Sequence, residues 1–129
     1  MRGTESLLFV EDDVEILDLA ATYLEGLGYS VNKAQSGTEA VILCQSRSNP
    51  FEIIITDVVM PKMSGVELFE RIHRKWQVTK VLFISGYSKD YHAYSREMGH
   101  KYPYLQKPFQ FSSLAKKVRE ILDSSVQDV

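Results

Sequence analysis

Five short apolar runs, each followed by a helical pattern, constrain this chain more than any other feature. The runs are Leu7–Val10, Tyr29–Val31, Ile53–Thr56, Val81–Ile84 and Tyr104–Leu105. The first, third and fourth show no polar alternation, which is the pattern of strands buried on both faces. The second is weaker and the fifth is very short. Strand and helix alternating in this way predict an α/β fold, a parallel sheet with helices on both faces and right-handed crossovers.

The helical segments carry their own punctuation. Val14, Leu17, Ala21 and Leu24 fall on one helical face, and Gly28 stands where that helix should stop. Ser36 with Glu39, and Ser64 with Glu67, have the Ser-x-x-Glu spacing of a capping box. Phe111, Leu114, Val118 and Ile121 repeat the apolar stripe in the last helix. The weakest pattern is Lys89 to Met98, with two tyrosines and little aliphatic content.

A length of 129 residues predicts one domain, 1–129, with a core of about 6–123 and short polar tails. The net charge of -2 gives no basic excess for nucleic acid or an anionic membrane. The single cysteine, Cys44, excludes an internal disulfide and fits a reducing compartment. No apolar run is long enough to cross a bilayer, and "MRGTES" lacks a signal-cleavage pattern. The expected location is the cytoplasm, with no membrane contact by this domain.

In an open parallel sheet, ligands bind beyond the carboxyl ends of the strands. After the first run comes Glu11-Asp12-Asp13, after the third Asp57, after the fourth Ser85-Gly86, and after the fifth Lys107-Pro108. Crowded carboxylates repel one another and raise their pKa values unless a cation joins them. An all-oxygen donor set favours Mg²⁺, Mn²⁺ or Ca²⁺ over zinc. Cation, ammonium and hydroxyl together describe a site for a transferring phosphoryl group, and a carboxylate can be its nucleophile. Two alternatives stand beside this. An aspartate-nucleophile phosphohydrolase would want a second acid two residues after Asp57, where this chain has Val59. A metal-binding flavodoxin-like interaction module would use the same acids without phosphorylation.

The blocks "LLFVEDD", "IIITDVVMPKMSG", "VLFISGY" and "YLQKPF" resemble the receiver (CheY-like) domains of two-component response regulators. They occur in that family's order, from Leu7 to about Leu122. The resemblance implies a flavodoxin-like (βα)5 fold with strand order 2-1-3-4-5. It makes Asp57 the phospho-acceptor. Asp12 would bind Mg²⁺ directly and Glu11 through water. Asp57 itself and the backbone carbonyl of Val59 complete the set, and Mn²⁺ may substitute. Asp13 falls one place late and reads as a helix-start residue. Ser85 matches the switch hydroxyl, Lys107 the lysine that contacts the phosphoryl oxygens, and Tyr104 the aromatic switch. The Lys107–Pro108 bond is expected to be cis. The implied partner is a histidine kinase or phosphotransfer domain. The face of the fourth helix, fifth strand and fifth helix would switch, and would serve a homodimer. "FISGYS" and "YLQKPF" look more like the C-terminal receiver of a hybrid sensor histidine kinase than like a transcription regulator, with a free-standing regulator as the other version.

"GHKYPY" departs from the family's usual small and acidic linker. Val59 and Tyr87 occupy the variable positions flanking the acceptor, and their bulk is expected to restrict attacking water. Other residues have structural readings: Cys44 as a buried inert thiol, and His73, His92 and His100 as surface side chains. "RIHRK" reads as a solvated basic face, and Tyr87, Tyr91, Tyr94 and Tyr102 as packing, with a partner surface as the alternative.

Overall fold

Side chains alternate along the central strands between two apolar layers. Leu8, Val10, Ile54, Val81 and Phe83 enter one layer, while Leu7, Phe9, Ile53, Ile55, Leu82 and Ile84 enter the other. The computed structural model describes residues 2–86, Arg96 and 102–124. Its elements are β1 (Ser6–Val10), α1 (Val14–Gly26), β2 (Ser30–Ala34), α2 (Gly37–Gln45) and β3 (Ile53–Asp57). There follow α3 (Gly65–Lys75), β4 (Lys80–Ser85), β5 (Tyr104–Gln106) and the last helix, here α4 (Phe111–Asp123). The strands form one parallel sheet in the order β2-β1-β3-β4-β5. Helices α2 and α3 cover the first layer, and α1 and α4 the second. The expected helix between Lys89 and Met98 lies, Arg96 aside, outside the described residues, as do Tyr87, His92 and His100.

The caps follow the sequence closely. Ser36 accepts a hydrogen bond from the Glu39 amide, and Ser64 from the Glu67 amide, each at 3.1 Å. Asp13 caps α1 by accepting from the Glu15 and Ile16 amides. Gly28 has φ +107, a left-handed backbone that glycine adopts without strain, just past the end of α1.

Two details depart from the sequence reading. Strand β2 begins after Tyr29 and continues through Asn32 and Lys33 to Ala34. It is an edge strand, so polar residues sit in it without losing contact with water, and the apolar run understated it. Val14 is exposed, and the buried stripe of α1 is Leu17, Ala20, Ala21 and Leu24. The apolar layer shared with β1 begins at Leu17 and does not include Val14. Tyr102 packs in the core, edge-on to Phe69 and Phe83. Cys44 is buried, and desolvation pushes its thiol up to about 11. No helix among the described residues is long and apolar enough to cross a membrane.

The sheet's opposite edge is tied by two cations. Lys80 donates to the carbonyls of Ile121, Leu122 and Ser124, closing the C-terminal turn of α4. Arg119 binds Glu5 through its two terminal guanidinium nitrogens, at 3.2 and 2.6 Å. It also reaches the Tyr29 hydroxyl, the Arg2 carbonyl and Asp123. The Arg119 hydrogen bond holds the Glu5 carboxyl below its ordinary value of 4.5. A depressed carboxyl pKa stabilises the fold above that ordinary value, and the contribution fades as pH falls through the folded-state value. Glu5→Gln is therefore expected to lower unfolding free energy by about 1 kcal/mol at neutral pH. In urea unfolding, the gap to wild type should close as pH falls below 4.5. A gap that stays constant with pH would contradict the ion pair.

Candidate functional site

The strand register builds the site. Phe9 pairs with Ile55 and Val10 with Thr56, so Glu11, one residue past β1, lies next to Asp57, the last residue of β3. Odd-numbered residues of these two strands face the α1 and α4 layer, and both acids continue that alternation. Ser85 ends β4, and its register partner is Gln106, so Lys107 emerges one step beyond β5. Backbone bonds carry the pairing past the strand ends. The Glu11 amide donates to the Ala34 carbonyl at 3.0 Å, Val58 to Ile84 at 2.8 Å, and Lys107 to Ser85 at 2.8 Å. The Lys107–Pro108 peptide is cis.

From that position the Lys107 ammonium spans two carboxylates. It lies 2.7 Å from Asp57 Oδ2 and 2.8 Å from Glu11 Oε1. Glu11 is buried, and its other oxygen accepts from the Asp13 amide at 3.1 Å. Asp57 is buried at the rim and Asp12 is exposed. Burial raises the Glu11 carboxyl, with the neighbouring Asp57 charge adding to it, and Lys107 works against both. Burial opposes the Lys107 charge, but its bonds to Asp57 and Glu11 prevail and hold it above the ordinary lysine value.

Glu11, Asp12 and Asp57 each offer a carboxylate oxygen, all within 4.8 Å of one another. Hard oxygen donors with one exposed member suit Mg²⁺, which keeps several waters and takes few protein ligands. The donor set therefore fits the cation that the sequence implies. The loop after β3 is fastened beneath the site: Val58 and Met60 are buried, while Val59 is 58% exposed at the rim. Lys62 turns with φ 70. The Val59 amide approaches Asp57 Oδ1 at only 3.4 Å. Tyr104 is half-buried at the start of β5 and pairs with Phe83. Glu11, Asp12, Asp57 and Lys107 thus converge, with Ser85 buried at the next strand end.

Helix α1 carries a second apolar row that its buried stripe does not include. Ile16, Leu19 and Tyr23 sit three and four residues apart, outside the buried stripe. Leu19 is 54% exposed. With Pro108, Phe109 and Phe111, Ile16 and Leu19 line an open recess of about 530 Å³ that reaches Lys107. The i, i+3, i+7 spacing was the available signal.

Lys107 supplies the counter-charge of a buried acid, so Lys107→Ala should lower metal-free unfolding free energy by about 2 kcal/mol at neutral pH. Thermal and urea unfolding measure this. Unchanged stability would show that Glu11 does not depend on the ammonium.

Comparison with known proteins agrees with this geometry. The family model described as "Response regulator receiver domain" matches residues 7–119. The sensor kinase CckA of Brucella abortus is 32% identical over 123 residues, covering 95% of this chain. The chain spans 13% of that kinase's length and 50% of the next curated relatives. Among solved structures, a CheY-like receiver domain from Methanospirillum hungatei superposes with a TM-score of 0.80 at 29% identity, covering 94% of this chain and 95% of the other. The receiver domain of the hybrid histidine kinase CckA does so with a TM-score of 0.75 at 30% identity, covering 92% and 99%. Fold, motif order and the extent of the family match lead to one conclusion: the chain belongs to the response regulator receiver domain family of two-component systems.

Proposed function

We propose that Asp57 accepts a phosphoryl group from a phosphohistidine on a histidine kinase or phosphotransfer domain. The observation that carries this reading is Lys107, bonded to Asp57 and Glu11 at the edge where three carboxylates converge. An Asp57 carboxylate oxygen attacks phosphorus and the acyl O–P bond forms. The P–N bond breaks, and its electron pair returns to the donor's imidazole. Lys107 then exchanges the carboxylate for the new phosphoryl oxygens. Bound by Asp12, Asp57 and the Val59 carbonyl, with Glu11 acting through water, Mg²⁺ would supply charge neutralisation. Mn²⁺ meets the same donor preference.

The response follows from the neighbouring strand ends. Ser85 is drawn to the phosphoryl oxygens, and Tyr104 turns inward beside Phe83. The face around β5 and α4 changes shape for a partner or for a second copy of the chain. Such switches couple two states by about 1–3 kcal/mol. Half-buried Ile16 and exposed Leu19 line the recess that reaches Lys107, and this supports docking of the donor domain across α1 and the β5–α4 loop. Similarity to the receiver of a hybrid histidine kinase supports a parent chain of that kind, with this domain in the cytoplasm. Neither alternative is favoured: Val59 stands where a phosphohydrolase would want its second acid, and the family match covers the phosphoryl-transfer motifs.

Labelled phosphate incorporation tests the assignment. Asp57→Asn is expected to take up no label from either a phosphohistidine donor or acetyl phosphate. Leu19→Glu should slow only the protein donor. Full labelling of Asp57→Asn would overturn the acceptor assignment, and equal slowing of both donors by Leu19→Glu would overturn the docking surface.

The exposed Val59 side chain beside Asp57 is expected to limit water attack on the acyl phosphate. Val59→Asn should shorten its lifetime several-fold in a chase with unlabelled buffer. An unchanged lifetime would remove Val59 from that role.

A further inference from the structure

The peptide plane between Asp57 and Val58 is held on both sides. Its N–H donates to the Ile84 carbonyl on β4 at 2.8 Å. Its carbonyl, that of Asp57, accepts from the Thr56 hydroxyl at 3.1 Å. Thr56 is fully buried, and the same hydroxyl lies 3.9 Å from the Met60 sulfur. The first turn of α3 closes over this group. A Cβ on Gly65 would collide with the Asp57 carbonyl oxygen and come within 3.1 Å of Thr56 Oγ1. The Gly65 amide donates to the Val58 carbonyl at 2.9 Å.

Valine would fill the same volume at position 56 and suits a buried strand better than threonine does. A buried hydroxyl there must be satisfied, and it is satisfied by the main chain of the acceptor residue and the loop's own methionine. That peptide plane sets the direction of the Asp57 side chain and begins the two-residue path to the Val59 carbonyl. We propose that Thr56 is a positioning residue for phosphoryl transfer: its hydroxyl fixes the Asp57 carbonyl against Gly65, and so aims both the acceptor carboxylate and the Val59 carbonyl. Thr56 touches no substrate and acts through Asp57. The proposal rests on Asp57 being the acceptor.

The test compares Thr56→Val, Thr56→Ser and Thr56→Cys with wild type in the intact chain. Two quantities are read: phosphorylation by acetyl phosphate at saturating Mg²⁺, and Mg²⁺ affinity by NMR titration of the unphosphorylated protein. Loss of an outer hydrogen-bond partner commonly lowers activity or metal affinity by about tenfold. Thr56→Val should therefore cut the maximal rate and the Mg²⁺ affinity by about that factor, and leave the half-saturating acetyl phosphate concentration unchanged. Thr56→Ser, which keeps the hydroxyl, should restore both. Thr56→Cys, a weak donor of similar size, should fall between. This last comparison stands even if the valine variant fails to fold. Wild-type rates in Thr56→Val and Thr56→Cys would overturn the proposal. So would a serine variant as slow as the valine one, because packing would then be the cause. If wild type itself gains no phosphate at Asp57, it is the acceptor reading that fails, and the Mg²⁺ titration still decides whether Thr56 aims the loop.

Discussion

One ammonium group organises the functional edge of this domain. Lys107 lies within 2.8 Å of two carboxylates on two different strands, and one of them, Glu11, is buried. A buried acid with no counter-charge would protonate or destabilise the fold. Lys107 permits Glu11 and Asp57 to stay buried at the ends of β1 and β3, Glu11 the more deeply of the two. The geometry depends on sheet order: β5 is two strands away from β3, and only a long side chain launched beyond its end crosses that gap. On the proposed reading, the same charge that steadies the resting acids would meet an incoming phosphoryl group, so stability and chemistry would share one residue.

The two ends of the sheet are built differently. At the end away from Asp57, Arg119 and Lys80 gather carboxylates and helix carbonyls into fixed contacts. At the Asp57 end, the loop after β3 is anchored from below by Val58 and Met60, while Val59 and Asp12 remain exposed. The proposed phosphoryl transfer would use this division: Asp57 is held still, while Val59 and Asp12 stay exposed to a cation and a donor.

Most of the site was legible in the sequence because it depends on order and register. Strands ending in Glu11-Asp12, Asp57, Ser85 and Lys107 must bring those residues to one edge if the sheet is parallel. Ser36 and Ser64 were legible as caps because the capping interaction is local. The misreadings have equally physical origins. Strand β2 was understated because an edge strand tolerates Asn32 and Lys33, so hydrophobicity did not mark it. Helical periodicity groups Val14 with Leu17, Ala21 and Leu24 but does not tell where the sheet stops. The row Ile16, Leu19 and Tyr23 is hard to read from sequence because a second apolar stripe beside a buried one has no partner in the pattern. The fastening of the Asp57 carbonyl by Thr56 and Gly65 lay beyond reach, since it depends on the packing of α3 against β3.

We propose that this edge carries a phosphoryl group on one carboxylate, that of Asp57. Intact-mass measurement after incubation with acetyl phosphate and Mg²⁺, followed by mapping of the modified peptide, tests it most directly. The expected result is a gain of a single phosphoryl group, located at Asp57 and absent when a chelator removes the cation. No gain in mass, or a phosphoryl group mapped to a histidine such as His73, would contradict it.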